Sequence, residues 1–144
     1  MREADFYAKV RERLHAPPFR VCKKLQDRFI KGVPVCVYSL GLGTRSTVGR
    51  IELKYHEHWP KRGGPLLLGV RVEQARFLEE WAATHGNGWL VVGIGLDVYV
   101  FKPPVPLGLR DAEDARARAA LTCRVSTLHV LLAFLTSVGL NECL

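Results

Sequence analysis

The sequence predicts an α/β domain with a central mixed β-sheet flanked by helices, in the order α-β-β-β-α-β-β-α. Two segments with apolar residues three or four positions apart, 2–14 and 72–86, predict amphipathic helices. Runs rich in β-branched and aromatic residues lie between and after them, and these predict strands. Helices that alternate with groups of strands are typical of a sheet covered by helices.

The first half of the chain predicts one helix and three strands. Residues 2–14 carry an apolar stripe that predicts a helix. We expect this helix to end before the two consecutive prolines that follow, because they cannot continue it. FRVCKKL at 19–25 alternates as a strand does, whereas QDRFIKG after it has the composition of a loop. VCVYSL at 35–40 and STVGRIELKY at 46–55 flank the glycine turn GLGT, so we expect them to pair as a hairpin.

The second half predicts helix, two strands and a further helix. The helix at 72–86 ends at a glycine, and strands at 87–95 and 97–101 are joined by a short turn. A proline-rich connector, 102–109, leads into a second long helix, 111–135, whose first residue is an aspartate placed to cap it. We therefore divide the chain into a core, 1–102, and a connector with a C-terminal helix, 103–144, that packs on the same domain or on a dimer partner.

Composition predicts a soluble cytoplasmic protein of one domain. The chain has 144 residues, 48% of them hydrophobic and 24% charged, which is ordinary for a globular domain. Its four cysteines show no spacing typical of metal ligands, so reduced thiols are expected. The most apolar stretch, 128–140, is too short to cross a bilayer, so we expect no interaction with a membrane.

The positive charge lies in one half of the chain. Residues 1–62 hold 14 Lys and Arg against 6 Asp and Glu, whereas residues 63–144 hold 7 against 8. Such asymmetry suggests a polyanion partner, most simply nucleic acid, and charge alone leaves a basic surface with no partner as an equal alternative.

Glu52 and Lys54 form an acid-x-lysine triplet near the end of a predicted strand. Residues two apart on a strand point to the same face, so the two side chains converge. A carboxylate beside an ammonium can hold a divalent cation and position a water near a phosphate.

The order of motifs resembles that of the PD-(D/E)XK nuclease superfamily, and most of all its small VRR-NUC and Holliday-junction-resolvase-like members, which phages often encode. GVPV at 32–35, a glycine-rich turn, IELK at 51–54 and QARFL at 74–78 match the family pattern G-x-P-D, turn, hydrophobic-E-x-K and Q-x-x-x-L. The likeness covers about residues 2–101. It implies a restriction-endonuclease-like core in a protein of bacterial or phage-infected cells.

The resemblance implies a Mg²⁺-dependent or Mn²⁺-dependent DNA endonuclease and gives roles to single residues. Glu52 and the backbone carbonyl of Leu53 would be metal ligands, and Lys54 would orient the attacking water or stabilise charge on the phosphate. Glu3 corresponds to a helix-one glutamate that reaches the metal through water. Gln74 corresponds to a glutamine that helps fix the site.

Val35 stands where the family has a metal-binding aspartate, and valine offers no oxygen to a cation. Three accounts of it are open. The chain is a natural pseudonuclease that binds without cutting, or it is an altered form of an active enzyme, or a nearby acid such as Asp27 or Glu57 substitutes. With the remaining ligands alone, Glu52, a carbonyl and Glu3, metal affinity and cleavage rate should be low.

Basic side chains flank this candidate site in the sequence and are candidates for contacts with DNA phosphates: Lys23, Lys24, Arg28, Lys31, Lys61 and Arg62. The C-terminal helix carries apolar residues on more than one face, which predicts that it is buried, either in its own chain or in a homodimer.

Two rival functions stay open, a catalytically dead nucleic-acid-binding module and a phage protein that binds or inhibits another protein.

Overall fold

In a computed structural model, the chain forms a six-stranded mixed sheet covered by helices on both faces. The structure describes residues 1–14, 19–24, 36–42 and 44–141, and only the backbone at 19–24, 36, 42, 140 and 141. The α/β class and the central mixed sheet are therefore confirmed. The helices are α1 (Glu3–Leu14), α2 (Val72–His85), α3 (Ala112–Arg118) and α4 (His129–Asn141). The strands are β1 (Phe19–Lys24), β2 (Cys36–Leu42), β3 (Arg45–His56), β4 (Leu66–Leu67), β5 (Gly88–Ile94), β6 (Asp97–Phe101), β7 (Gly108–Leu109) and β8 (Leu121–Arg124).

The strands of the main sheet are ordered β1-β2-β3-β5-β6-β8. β2 and β3 pair antiparallel from Cys36 opposite Ile51 to Leu42 opposite Arg45, which confirms the predicted hairpin. β3 and β5 are parallel and α2 connects them. The other neighbours are antiparallel, so this one crossover places α2 over the strand that carries Glu52.

The two faces of the sheet bury separate cores. Phe6, Val10 and Leu14 of α1 are buried, as their spacing predicts, and pack with Ile51 and Leu53 of β3. α4 packs on the same face. On the opposite face, Leu78 of α2 packs with the β5 side chains at 90, 92 and 94. The strand β5 is buried along its whole length, as expected of a parallel neighbour inside a sheet.

A glycine in β5 allows α2 to lie close to the sheet. A Cβ atom at Gly88 would lie 2.8 Å from the carbonyl oxygen of Leu78, a backbone atom that cannot swing aside. α2 ends at His85, and Gly86 directly after it has a φ of 89° and donates its N–H to the carbonyl of Ala82. A positive φ favours glycine there. Together these glycines set where α2 crosses β3 and β5.

The predicted single helix at 111–135 is wrong. The chain forms the short helix α3, then β8, then a 3₁₀ turn at Val125–Thr127, and only then α4. β8 adds to the edge of the main sheet by pairing with β6, from Asp97 opposite Arg124 to Val100 opposite Leu121. Asp111 caps α3 as predicted, because its Oδ1 accepts from the N–H of Asp114 at 2.8 Å.

Two further details differ from the sequence predictions. β4 and β7 form a two-stranded sheet, and β7 lies within the segment that was predicted as a proline-rich connector. α4 buries Leu131 and Leu135, whereas Ala133 on another side of the helix is exposed, so the helix is not buried all round. It contacts β2, β3, β8 and α1 of its own chain. No helix among the described ranges is long and apolar enough to span a membrane.

Candidate active site

Glu52 and Lys54 lie on the face of β3 that α2 covers. Lys54 Nζ is 3.4 Å from Glu52 Oε1. The Glu52 side chain is 1% exposed and that of Lys54 is 20% exposed. A buried carboxylate requires compensation by a cation and by hydrogen bonds, and Lys54 supplies the cation while its own end reaches solvent.

Gln74 joins this pair from α2. Its Oε1 accepts a hydrogen bond from the backbone N–H of Arg71 at 2.9 Å, which satisfies one of the free donors at the start of the helix. Its Nε2 donates to Glu52 Oε1 at 3.1 Å. Since the helix cap engages the amide oxygen, the amide nitrogen is the atom presented to the carboxylate. The structure thus brings together three of the residues that the sequence singled out.

We expect Gln74→Ala to lower the free energy of unfolding by about 2 kcal/mol, because it removes a helix cap and a hydrogen bond to a buried carboxylate. Urea denaturation at pH 7 measures this loss. The matched control is Glu73→Ala, an exposed position on the same turn of α2, which should change stability by less than about 0.5 kcal/mol. Equal effects from both variants would show that Gln74 contributes nothing through Glu52.

Tyr7 connects the predicted helix-one glutamate to the strand. Its hydroxyl oxygen lies 2.6 Å from Glu3 Oε1 and 2.8 Å from the carbonyl oxygen of Leu53. Glu3 is exposed, whereas Leu53 is fully buried. The Leu53 carbonyl therefore accepts a hydrogen bond from a phenol of α1.

The described donors fit a divalent cation incompletely. Lys54 already balances the charge of the Glu52 carboxylate, and Mg²⁺ sites in proteins use carboxylate oxygens. No group of three or more His, Cys, Asp or Glu side chains within the described ranges could hold a metal ion. Val35 and Asp27 lie outside these ranges. Glu57 is exposed beyond the end of β3.

The predicted phosphate contacts are only partly within the described structure. Lys61 and Arg62 are exposed in the turn that follows β3. Lys23 and Lys24 lie in β1, where the structure describes the backbone alone. Arg28 and Lys31 lie outside the described residues.

Arg50 and Tyr7 are two neighbours of the site that sequence reasoning missed. Arg50 lies two residues before Glu52 on β3, so the alternation of strand side chains already placed it on the same face. Burial lowers the pKa of its guanidinium. No comparable signal exists for Tyr7, because its contact with Leu53 depends on how α1 packs against β3.

Comparison of the chain with family models, with curated proteins and with solved structures finds no match.

Proposed function

We propose that this chain is a metal-dependent DNA endonuclease of the PD-(D/E)XK type, in which Val35 replaces one metal-binding carboxylate and makes cleavage slow. The observation that carries the proposal is the convergence of Glu52, Lys54 and Gln74. The glutamine lies 22 residues from the glutamate and belongs to another element, yet it donates to the same carboxylate oxygen that pairs with the lysine. The three side chains come from two elements and meet at one carboxylate oxygen, an arrangement that agrees with the family pattern.

Each of the three side chains has a task in phosphodiester hydrolysis. A bound Mg²⁺ would stabilise charge on the phosphate and lower the pKa of water. Glu52 is the carboxylate that would hold it, and Gln74 fixes the orientation of that carboxylate. Lys54, whose end is partly exposed, is placed to contact a phosphate oxygen or an attacking water.

The charge distribution supports DNA as the partner. The half of the chain that contains β3 carries the whole positive excess. Within the described structure, Lys61 and Arg62 are exposed on the turn after this strand. Exposed cations on this part of the chain would contact phosphates of a bound nucleic acid.

A second function is favoured by one observation. Glu52 has a cationic partner in Lys54 and a hydrogen-bond donor in Gln74, so both its charge and one of its oxygens are compensated by the protein itself. A nucleic-acid-binding module that does not cut would have this arrangement.

Two assays on the purified chain test these functions. Fluorescence anisotropy with labelled duplex and branched DNA at several salt concentrations measures binding, and gel electrophoresis with Mg²⁺, Mn²⁺ or EDTA measures cleavage. The proposal expects salt-dependent binding, with slow metal-dependent cleavage that Lys54→Ala abolishes. Binding without any cleavage in Mn²⁺ would favour the second function. Absence of binding to every DNA would contradict both functions and favour a protein partner.

A further inference from the structure

Arg50 is a half-buried cation held between β3 and α2 by aromatic rings. Its guanidinium carbon lies 4.6 Å from the ring centroid of Trp81 and 6.0 Å from that of Phe77. The rings of Phe77 and Trp81 are nearly parallel, and His85 stacks on Trp81 at 4.0 Å. Contact with two rings restricts the guanidinium, so its donors are held in place.

Three donors at this place have no acceptor. Nε and Nη1 of Arg50 and Nε1 of Trp81 are buried and have no hydrogen-bond partner. No ion pair of Arg50 with an acid is found among the residues that the structure describes. Buried polar groups in native proteins almost always have a partner, so a cluster of unsatisfied donors that includes a cation indicates a missing acceptor. An anion beside the guanidinium would supply such an acceptor.

We propose that Arg50 and Trp81 form a phosphate-binding subsite beside the Glu52 site. The planar, forked donors of arginine match the oxygens of a phosphate. Residues on a strand advance about 3.3 Å each, so Arg50 lies about 7 Å along β3 from Glu52 and on the same face. This spacing suits a second phosphate of one nucleic-acid strand. The subsite itself requires only a phosphate group; that the phosphate belongs to DNA rests on the proposed function.

The first test is the salt dependence of DNA binding. For duplex DNA, each phosphate contact contributes about 0.9 to the slope of log K against log salt concentration. We expect Arg50→Ala to weaken binding roughly 10- to 100-fold and to reduce this slope by about 0.9. The matched control is Arg45→Ala, because Arg45 is an exposed arginine on the same strand but on its other face. An unchanged slope in Arg50→Ala would overturn the subsite.

Two milder variants distinguish the effect of the charge from that of the hydrogen-bond geometry. They also keep the subsite testable if Arg50→Ala does not fold. Trp81→Phe keeps the ring and removes one neutral donor, so affinity should fall several-fold while the salt slope stays the same. Arg50→Lys keeps the charge and loses the fork, so it should behave likewise. Wild-type affinity in both variants would contradict the subsite even if Arg50→Ala did not fold.

The second test uses inorganic phosphate and does not depend on DNA. Melting temperatures in phosphate are compared with those in chloride at equal ionic strength, because a ligand that binds the folded state raises the melting temperature. We expect phosphate to stabilise the natural chain and the Arg45→Ala variant, and not the Arg50→Ala variant. Stabilisation by phosphate without any DNA binding would keep the subsite and reject the proposed function. No stabilisation of the natural chain, or the same stabilisation of all three proteins, would overturn the subsite.

Discussion

Val35→Asp is expected to convert slow or undetectable DNA cleavage into cleavage at least about 100-fold faster in Mg²⁺ or Mn²⁺. The substitution supplies the carboxylate that the resemblance places at position 35. The described site already contains Glu52, oriented by Gln74 and partnered by Lys54. A second anionic ligand would give the site a net negative charge, which a divalent cation requires. The rate is measured on labelled duplex and branched DNA.

Two variants control this experiment. Val35→Asn has nearly the shape of the aspartate without its charge, so it should cut no faster than the natural chain. Val35→Asp combined with Lys54→Ala should lose the gained activity by a factor of about 100 or more, because it lacks the positive charge beside the phosphate. Equal rates for the aspartate and asparagine variants would show that charge at position 35 does not limit cleavage.

Lys54→Met is expected to destabilise the fold by about 2 kcal/mol at pH 8 and by much less near pH 5. Glu52 is 1% exposed and would lose the ammonium that lies 3.4 Å away. Breaking a buried ion pair costs up to 3–5 kcal/mol, and the figure is smaller here because Lys54 is partly exposed. Burial favours the neutral acid over the carboxylate, so in the variant the loss of stability is largest at high pH and shrinks when protonation at low pH removes the buried charge.

The matched control variant also removes the negative charge of Glu52, which Lys54 balances. Glu52→Gln combined with Lys54→Met should recover most of the stability at pH 8 and lose the added pH dependence, because no buried carboxylate is left to titrate. Urea denaturation between pH 5 and pH 8 measures all three proteins. A loss in Lys54→Met that is the same at both pH values would mean that packing of the lysine side chain, and not its charge, supports Glu52.

Local patterns predicted the parts of the fold that depend on neighbouring residues. The stripe in α1, the β2–β3 hairpin, α2 with its terminal glycine, and the strands β5 and β6 all follow from periodicity and turn residues. The helix predicted at 111–135 failed for a tertiary reason. Residues 121–124 lie next to β6, and its open edge pairs with them. The free energy of sheet pairing there outweighs the helix propensity of the surrounding segment.

In the candidate site too, local patterns predicted some of the residues, whereas others depend on tertiary contacts. The strand period placed Glu52 and Lys54 together, and the family pattern added Gln74. Periodicity could also have included Arg50, but it gave no sign that α2 would bring Trp81 and Phe77 over the guanidinium. Nor could it show that Tyr7 would lie between Glu3 and the Leu53 carbonyl. Such contacts depend on how the helices cross the sheet, and that is set by close packing at positions such as Gly88.

Metal binding tests the central claim most directly, because it does not depend on the choice of DNA. Titration of Mn²⁺, followed by the electron paramagnetic resonance signal of the free ion, compares the natural chain, Val35→Asp, and Val35→Asp combined with Glu52→Gln. We expect Val35→Asp to bind one Mn²⁺ per chain at least about tenfold more tightly than the natural chain, and the double variant to lose this gain. Equal, weak binding by all three proteins would contradict a metal-dependent site at Glu52.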